Sequence, residues 1–297
     1  MINFMKYRLF YVVLSALILV PGIFCLLQFG LKPALDFTGG SLMEFKVNSP
    51  STAITGDMVR ETVGSAQIEV GSVTNSGDST FILKTKTLES AETERLLSSL
   101  KTGFGEITVL RQETVGPVLG KELLQKTFVA TLIAVSVILL YIAWAFKNFR
   151  FGVSAIVALA HDVLVVVGIF AILGKTKGIE VDALFVTALL TTMSFSVHDT
   201  IVVFDRIREL SHKSTLPFVE LINQALSETM GRSLNNSLTI IFMLLALFLM
   251  GGETVRWFVF ALLVGTISGT YSSPFVAVPI LYQWSLLGKK KTNIESA

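Results

Sequence analysis

The stretch Val181–Arg208 reads VDALFVTALLTTMSFSVHDTIVVFDRIR. It is apolar and long enough to cross a bilayer, because about 20 residues of α-helix span the hydrocarbon core. His198 and Asp199 nevertheless lie within it. A carboxylate at the centre of a membrane helix costs about 3 kcal/mol on insertion scales, so such a residue usually faces a protein interior or a water path. The stretch therefore predicts a membrane helix whose ionisable residues carry function.

The composition of the whole chain is typical of a membrane protein. Of its 297 residues, 52% are hydrophobic and only 15% are charged, whereas charged residues make up about a quarter of an average soluble domain. The formal net charge of +2 is too small to indicate nucleic-acid binding. The single cysteine, Cys25, excludes an intramolecular disulfide. We therefore predict a polytopic α-helical membrane protein.

Six stretches are apolar and long enough to be transmembrane helices. They are Leu9–Phe29, Thr127–Phe146, Phe151–Leu173, Val181–Phe204, Leu234–Met250 and Trp257–Leu287. The first follows Lys6 and Arg8 and exceeds the apolar core of a cleaved signal peptide, so we interpret it as an uncleaved signal anchor. The predicted regions are an N-terminal segment with the first helix (1–29), a polar domain (30–125), five further helices (126–287) and a basic tail (288–297).

Basic residues predict the orientation of these helices, because lysine and arginine concentrate in short cytoplasmic connections. If the N-terminus lies inside, eleven lysines and arginines flank the inner ends of the helices, and three lie in the short outer loops. The inner set includes Lys147, and also Arg206 in the segment 205–233, which we interpret as a cytoplasmic amphipathic segment. Both termini are therefore predicted to be cytoplasmic, with the polar domain on the other side.

The polar domain has the pattern of a small α/β fold. Four of its stretches have the residue pattern of β-strands and two have that of helices. In chain order they are a strand at Ser41–Val47, a helix at Asp57–Ala66, strands at Ile68–Thr74 and Phe81–Lys86, a helix at Ala91–Thr102 and a strand at Ile107–Gln112. This order predicts a ferredoxin-like domain between the first two helices. It has no histidine or cysteine, so we expect it to dock partners or contact substrate.

A polar stripe follows one face of the fourth predicted helix. Thr192, Ser196 and Asp199 are spaced i, i+4 and i+7, and His198 lies beside them. Arg232 is placed at the inner end of the fifth helix. A carboxyl group that gains and loses contact with a guanidinium can change between its protonated and ionised forms as helices move. Asp199, Arg232 and His198 are therefore predicted to form a proton relay.

Static interactions are alternatives for the same residues. Asp199 and Arg232 can form a fixed ion pair between two helices, and His198 can merely satisfy hydrogen bonds of the stripe. Asp199 can also lie near the headgroups beside Arg206, although seven residues of helix separate these two by about 10 Å. The small residues of the sixth helix are expected to serve close helix packing. They are Gly265, Ser268, Gly269, Ser272 and Ser273.

The third and fourth helices share a short motif, HDVLVV at His161–Val166 and HDTIVV at His198–Val203. Adjacent residues on a helix point about 100° apart, and no cysteine or glutamate completes a ligand set, so we predict no metal site. Asp162 and Asp199 also allow an intramembrane protease as an alternative. Because Asp162 is expected nearer the membrane centre and an arginine does not suit a proton-sharing pair, we predict no catalytic residues and no cofactor.

Four motifs occur in order along the chain. They are LDFTGG at Leu35–Gly40, VGPVLGKEL at Val115–Leu123, DTIVVFDRIRE at Asp199–Glu209 and RSLNNSLT at Arg232–Thr239. Together with six predicted helices and one large outer domain, they resemble the SecF family. Its members are the F subunits of the bacterial Sec translocase accessory complex and belong to the resistance-nodulation-division superfamily. The resemblance covers essentially the whole chain.

The resemblance implies an auxiliary role in protein export that is driven by inward proton flow across the bacterial inner membrane. It implies that Asp199 and Arg232 are the charged pair that conducts protons. It also implies a separate partner chain, SecD, whose six similar helices complete a pseudo-symmetric twelve-helix architecture. The other implied partners are the Sec translocon channel and a preprotein on the periplasmic side. The family commonly has asparagine before the conducting aspartate, whereas this chain has His198.

Residues with special backbone properties flank the polar domain on both sides. Asp36, Gly39 and Gly40 precede it, and Gly116 and Pro117 follow it. Glycine adopts φ values closed to other residues, and proline fixes φ. We expect these junctions to set how the domain moves, and simple tight turns are an equal alternative.

Two other functions stay open at this point. The chain can be half of a small-molecule, drug or lipid exporter of the same superfamily, or a passive scaffold for a translocon partner. Exporters of that kind usually carry much larger outer domains than the roughly 95 residues available here. A scaffold requires no titratable residue at position 199.

Overall fold

The computed structural model describes residues 3–48, 54–77, 79–145 and 148–295, apart from the side chains of 253, 254 and 287–295. Its elements begin with a 3₁₀ turn at Phe4–Tyr7. In chain order they continue with α1 (Arg8–Phe29), α2 (Leu35–Thr38), β1 (Gly40–Val47), α3 (Gly56–Ser65), β2 (Val70–Gly77), β3 (Thr80–Thr85), α4 (Ser90–Phe104), β4 (Ile107–Val115), α5 (Pro117–Ala145), α6 (Phe149–Lys177), α7 (Ala183–Lys213), α8 (Phe218–Met250), α9 (Glu253–Ser272), a π-helical turn (Ser273–Ala277) and α10 (Val278–Glu295).

The chain forms two compact units, one comprising Met1–Lys32 with Ala130–Ala297 and the other Pro33–Val129. The second unit overlaps the polar segment 30–125. Of the predicted basic residues, Lys147 lies outside the described residues, as do residues 1, 2, 296 and 297 of the terminal segments. The backbone of the tail 288–295 is helical.

Within the described residues, six helical segments are long and apolar enough to cross a membrane. They are Phe4–Phe29, Pro117–Ala145, Phe149–Lys177, Ala183–Lys213, Phe218–Met250 and Val255–Leu286. The prediction of six membrane helices is therefore confirmed, and the chain is a multi-pass membrane protein. The last segment contains the π-helical turn at Pro274, where a proline cannot donate the regular helical hydrogen bond.

Helices α7 and α8 extend well beyond the apolar stretches that predicted them. The segment 205–233 consists of the end of α7, a connection at 214–217 and the first half of α8. Arg206 of α7 donates to Glu209 one turn later and to Glu228 of α8. The Glu228 side chain is exposed, and those of Arg206 and Glu209 are half-buried. A hydropathy pattern does not detect such polar helical extensions.

The helical unit is held by close contacts between small residues and by apolar clusters. A Cβ built on Gly22 of α1 would lie 2.9 Å from the Gly168 Cα atom of α6, so these two helices meet at their backbones. The largest buried cluster contains Phe204, Ile207, Ile222, Leu226 and Leu281, contributed by α7, α8 and α10. Burial of these side chains gives the unit its own core.

The second unit contains an antiparallel sheet with strand order β2-β3-β1-β4. Phe45 and Phe81 from the strands, with Leu96 and Leu100 from α4, are fully buried in its core. Helix α4 begins at a capping box in which the Glu89 and Glu92 side chains satisfy backbone N–H groups. The prediction of a small sheet with two helices is therefore confirmed, and its elements lie within a few residues of the predicted ones.

Candidate functional site

The polar stripe of α7 is buried against α9. Thr192, Ser196 and Asp199 are each at most 9% exposed. A Cβ built on Gly265 would lie 2.3 Å from Thr192 Cγ2, and one on Gly269 would lie 3.1 Å from Ser196 Cβ. The two glycines therefore allow α9 to approach the stripe more closely than any residue with a side chain would.

Asp199 is a buried carboxyl group with a hydroxyl partner on α8. Ser233 Oγ donates to Asp199 Oδ2 at 2.9 Å, and Ser237 of the same helix lines a cavity beside the carboxyl group. This cavity of about 20 Å³ is also lined by other polar side chains, including Ser196 and Asn236. A water molecule needs about 10–15 Å³ and several polar partners, so the cavity can hold one water beside Asp199.

Arg232 and His198, the other two residues of the predicted relay, are both exposed. His198 lines the rim of the cavity at Asp199. Arg232 precedes Ser233 on α8, and successive helical residues point about 100° apart, so Ser233 faces Asp199 while Arg232 points elsewhere. Among the described residues, no ion pair joins Asp199 and Arg232 in this conformation.

Among the described residues of the helical unit, the side chain with the most hydrogen-bond partners is Asp162 on α6, which is 4% exposed. Oδ2 accepts from Ser196 Oγ of α7 at 2.5 Å and from Ser272 Oγ of α9 at 2.6 Å. Oδ1 accepts from Ser268 Oγ of α9 at 2.6 Å and contacts His161 Nδ1 at 3.1 Å. A carboxylate offers about four acceptor positions, so all of them are used. Asp162 therefore joins α6, α7 and α9.

The sequence pointed to this arrangement only in part. Ser268 and Ser272 were expected to serve helix packing, yet both donate hydrogen bonds to Asp162. Ser196 was expected on the stripe with Asp199, and its hydroxyl is directed to Asp162 instead. The sequence feature that could have predicted this arrangement is an aspartate within an apolar helix, together with serines spaced i, i+4 on another apolar helix.

The glycine motifs at the ends of the sheet meet each other within the second unit. Gly39 and Gly40 have φ values of +72° and +136°, which side chains other than glycine rarely adopt. A Cβ on Gly39 would lie 2.9 Å from Pro117 Cα. Gly40 pairs with Val115, immediately before Gly116. Positive φ values and close backbone approach therefore explain Gly39 and Gly40.

Asp36 lies in the first turn of the short helix α2 and is half-buried. Among the described residues, no group of three or more His, Cys, Asp or Glu side chains is arranged to hold a metal ion.

Two family models match the chain. The model "Protein export membrane protein SecD/SecF, C-terminal" matches residues 95–286, and the model "SecD/SecF GG Motif" matches residues 26–51. The first match covers more than half of the chain and includes α6 to α9. The second includes Gly39 and Gly40 at the start of the sheet.

Curated relatives match over nearly the full length. The protein translocase subunit SecF of Thermobaculum terrenum is 43% identical, with 96% of this chain and 94% of that protein covered. The subunit of the same name from Anaerolinea thermophila is 39% identical, with the same coverage of both chains. The subunit from Haemophilus influenzae is 35% identical over 96% of this chain and 86% of that protein.

Solved structures of SecDF share the fold. The crystal structure of SecDF from Thermus thermophilus, described as a translocon-associated membrane protein, matches with a TM-score of 0.84 and 32% identity. The match covers 96% of this chain and 38% of that chain. A structure of SecDF in a super-membrane-facing form matches with a TM-score of 0.71 and 30% identity, covering 40% of that chain. The present chain thus spans about two fifths of the SecDF chains.

Proposed function

The chain belongs to the SecF family of protein translocase subunits, and on that premise we propose that it uses proton flow, together with a separate SecD chain, to assist preprotein export. The family resemblance noted in the sequence is confirmed by the family models and by the relatives. The accessory translocation role follows from the family, whereas the proton-driven mechanism is proposed from the arrangement of Asp199.

The observation that carries the mechanism is the environment of Asp199. Its carboxyl group is buried in a membrane-length helix but accepts a hydrogen bond from the Ser233 hydroxyl of the neighbouring helix α8. The adjacent cavity of about 20 Å³ leaves room for one water. A buried carboxyl group with spare acceptor positions beside a water site can exchange a proton without dismantling the surrounding helix contacts.

The energy available for such an exchange is sufficient to change a conformation. One elementary charge that moves through 100 mV gains about 2.3 kcal/mol. That energy shifts a two-state equilibrium by more than a factor of ten. Arg232 and His198 are proposed as the other relay residues, and Thr192 and Ser196 as the polar stripe that lies along the same face of α7 as Asp199. Because Arg232 points away from Asp199 in this conformation, the relay requires α7 and α8 to rearrange before the two groups meet.

The proposed assembly rests on the similarity to SecDF. Six membrane helices correspond to the part of SecDF that this chain covers, so a SecD partner would complete a twelve-helix architecture of two similar halves. We place both termini in the cytoplasm and the sheet unit in the periplasm, on the distribution of basic residues. The strand order β2-β3-β1-β4 supports a ferredoxin-like fold for that unit, which would contact preprotein, with the Sec translocon as a further partner in the bacterial inner membrane.

Proton-gradient-dependent export into membrane vesicles tests this function. Asp199→Asn, co-expressed with SecD, is expected to assemble normally but to lose the gradient-dependent part of export, because the amide is nearly isosteric and does not titrate. Asp205→Asn is the matched control, since Asp205 lies on the same helix, is exposed and pairs with Arg208. Export in Asp199→Asn that still responds to the gradient would contradict the proton relay and favour a passive scaffold.

The other functions receive less support from the structure. An aspartyl protease needs two carboxyl groups that share a proton, whereas the four acceptor positions of Asp162 are filled by serine hydroxyls and His161. An exporter half needs a substrate path through its outer domain, and the sheet unit has a fully packed core. Co-purification with the translocon rather than with an outer-membrane channel distinguishes export assistance from small-molecule export.

A further inference from the structure

The helical unit contains a second pair of titratable residues, which the proposed relay does not use. His161 and Asp162 of α6 are both buried, and their side chains contact each other at 3.1 Å. The second ring nitrogen also has a hydrogen-bond partner, because His161 Nε2 lies 3.1 Å from Ser15 Oγ of α1. Both ring nitrogens therefore have partners, which is the arrangement that fixes the protonation state of a histidine.

The hydrogen bonds continue from Ser15 to a backbone carbonyl. Ser15 Oγ lies 3.2 Å from the hydroxyl oxygen of Tyr271 on α9. The Tyr271 hydroxyl donates at 2.8 Å to the carbonyl oxygen of Tyr11 on α1. The chain Asp162–His161–Ser15–Tyr271–Tyr11 thus connects α6, α1 and α9, and it ends at a group that can only accept.

The terminal acceptor sets the direction of every donor in the chain. A tyrosine or serine hydroxyl has one proton to donate. Since Tyr271 gives its proton to the Tyr11 carbonyl, Ser15 donates to the oxygen of Tyr271. The oxygen of Ser15 must then accept from His161, which requires a proton on Nε2. At the other end of the ring, the contact with the carboxylate of Asp162 requires a proton on Nδ1.

We propose that His161 and Asp162 form a proton-binding site inside the membrane domain, in which a doubly protonated imidazole ring is paired with the ionised carboxylate. Three serine hydroxyls and His161 supply four donors to Asp162, which matches the four acceptor positions of an ionised carboxylate. The pair has no net charge, which suits its buried position. The ligand of this site is a single proton.

Release of that proton has a defined structural consequence. The neutral ring keeps its proton on Nδ1 and still donates it in the hydrogen bond to Asp162. Its Nε2 atom now presents a lone pair to Ser15. Ser15 then turns its proton from Tyr271 to Nε2. Tyr271 cannot donate to both Ser15 and the Tyr11 carbonyl, so one link of the α1–α9 connection breaks. The site therefore couples proton binding to the contact between the first and the last membrane segments.

Other ionisable groups surround the pair on each element packed against α6. Helix α7 contributes Asp199 and His198, which lie beyond Ser196 at the cavity of about 20 Å³. Helix α9 contributes Tyr271, and α1 contributes Tyr11. Arg8 of α1 lines a cavity of about 660 Å³ together with Ser15 and His161, and its guanidinium lies over the Tyr282 ring of α10. Ser196 donates a hydrogen bond to Asp162 and also lines the cavity at Asp199. This residue therefore borders both the His161–Asp162 pair and the proposed relay.

Solid-state NMR of the ¹⁵N-histidine-labelled full chain in lipid bilayers tests the site directly. The chain has three histidines, and the signal of His161 is assigned by its loss in His161→Asn. Spectra are collected from about pH 5 to about pH 9, which brackets the ordinary histidine pKa of about 6.5. We expect both ring nitrogens to be protonated in the bound state, and Nε2 alone to lose its proton as the pH rises. A ring with a bare Nε2 throughout that range would overturn the proposal.

Two variants test the hydrogen-bond chain itself. In Tyr271→Phe, Ser15 no longer has an acceptor for its proton and turns it to Nε2, so Nε2 is expected to be bare at a pH where the wild type is doubly protonated. Ser15→Ala removes the acceptor of the Nε2 proton and is expected to give the same loss. Tyr282→Phe, the matched control, should leave the spectrum unchanged. An Nε2 proton retained in both Tyr271→Phe and Ser15→Ala, or lost in Tyr282→Phe, would overturn the proposal.

The use of this site in export rests on the proposed function, whereas the NMR result does not. In the vesicle assay, Tyr271→Phe is expected to lose most of the gradient-dependent export that Tyr282→Phe keeps. If the NMR result is as expected but Asp199→Asn leaves gradient-dependent export intact, the proposed function fails and the proton site stands. If Nε2 is bare while Asp199→Asn abolishes the gradient response, the proton site fails and the proposed function stands.

Discussion

Asp162 and Asp199 are both buried carboxyl groups, but they accept different numbers of hydrogen bonds. Asp162 accepts hydrogen bonds from four donors on three helices, whereas Asp199 accepts one from Ser233 of α8 and adjoins a water-sized cavity. A fully satisfied buried network rigidifies its surroundings. We therefore infer that the carboxylate of Asp162 holds α6, α7 and α9 together, and that Asp199 is the carboxyl group free to exchange its partners.

Removal of one donor to Asp162 is expected to destabilise the helical unit. Ser268→Ala leaves a buried carboxylate oxygen with one hydrogen bond fewer, which costs about 1–3 kcal/mol. The same reasoning applies to Ser272→Ala. Thermal unfolding of the purified protein in detergent should show a lower midpoint for each variant. Ser285→Ala is the control, because Ser285 donates to the Tyr282 carbonyl within its own helix. Equal midpoints for Ser268→Ala and Ser285→Ala would contradict the role assigned to Asp162.

Arg232→Lys tests whether the proposed relay needs a guanidinium or only a positive charge. A lysine lacks the planar set of donors that binds a carboxylate through two hydrogen bonds. We expect gradient-dependent export to fall by about tenfold, which corresponds to loss of one charge-assisted hydrogen bond of about 1.4 kcal/mol. Arg208→Lys, an exposed position paired with Asp205, should retain full activity in the same vesicles. Full activity of Arg232→Lys would favour simple charge balance.

The stripe residues could be predicted from the sequence, but the partners of Asp162 could not. Helical spacing places Thr192, Ser196 and Asp199 on one face because it is a local property of a single helix. The hydrogen bonds from Ser268 and Ser272 cross from α9 to α6 and depend on how the helices are rotated against each other. That rotation follows from tertiary packing, which a single sequence does not specify.

At the scale of elements, local patterns predicted the existence of the helices better than their lengths. An apolar run of membrane length is a strong signal, and all six spans are present. Helix α8 begins at Phe218 rather than at the predicted Leu234. The hydropathy pattern missed its first turns because they are polar. These turns gain stability from contacts such as the ion pair between Arg206 and Glu228. The strands of the sheet unit were predicted closely because alternation and turn residues are local signals.

Gly265→Ala is expected to disturb the contact between α7 and α9. The new Cβ would meet Thr192 Cγ2 at 2.3 Å, and overpacking of this kind typically costs about 1–3 kcal/mol. Thermal unfolding in detergent should therefore show a lower midpoint. Gly231→Ala on α8 is the matched control, because no atom lies within 4 Å of its Cβ position and alanine favours a helix interior by about 0.5–1 kcal/mol. A midpoint in Gly265→Ala as high as in Gly231→Ala would show that α7 and α9 are not closely packed.

At the scale of the whole molecule, two units with separate cores are connected in sequence through α1 and α5. The helical unit buries its own apolar clusters, and the sheet unit buries another. A unit with a complete core can fold without the other. We therefore propose that the helical unit exchanges protons and that the sheet unit contacts preprotein. Export then requires both units.

Deletion of the sheet unit tests this division. Gly40 and Val115 are paired residues of neighbouring antiparallel strands, whose Cα atoms lie about 5 Å apart, so a short glycine–serine linker can replace Ser41–Thr114 and leave both junction motifs intact. We expect normal membrane levels and normal assembly with SecD, because the cores of the helical unit are untouched, but no gradient-dependent export. Insertion of the same linker after Gly105, in the exposed turn before β4, should preserve export. If the deletion variant still exported in response to the gradient, the sheet unit would be dispensable, and the contact with preprotein would have to lie on another part of the complex.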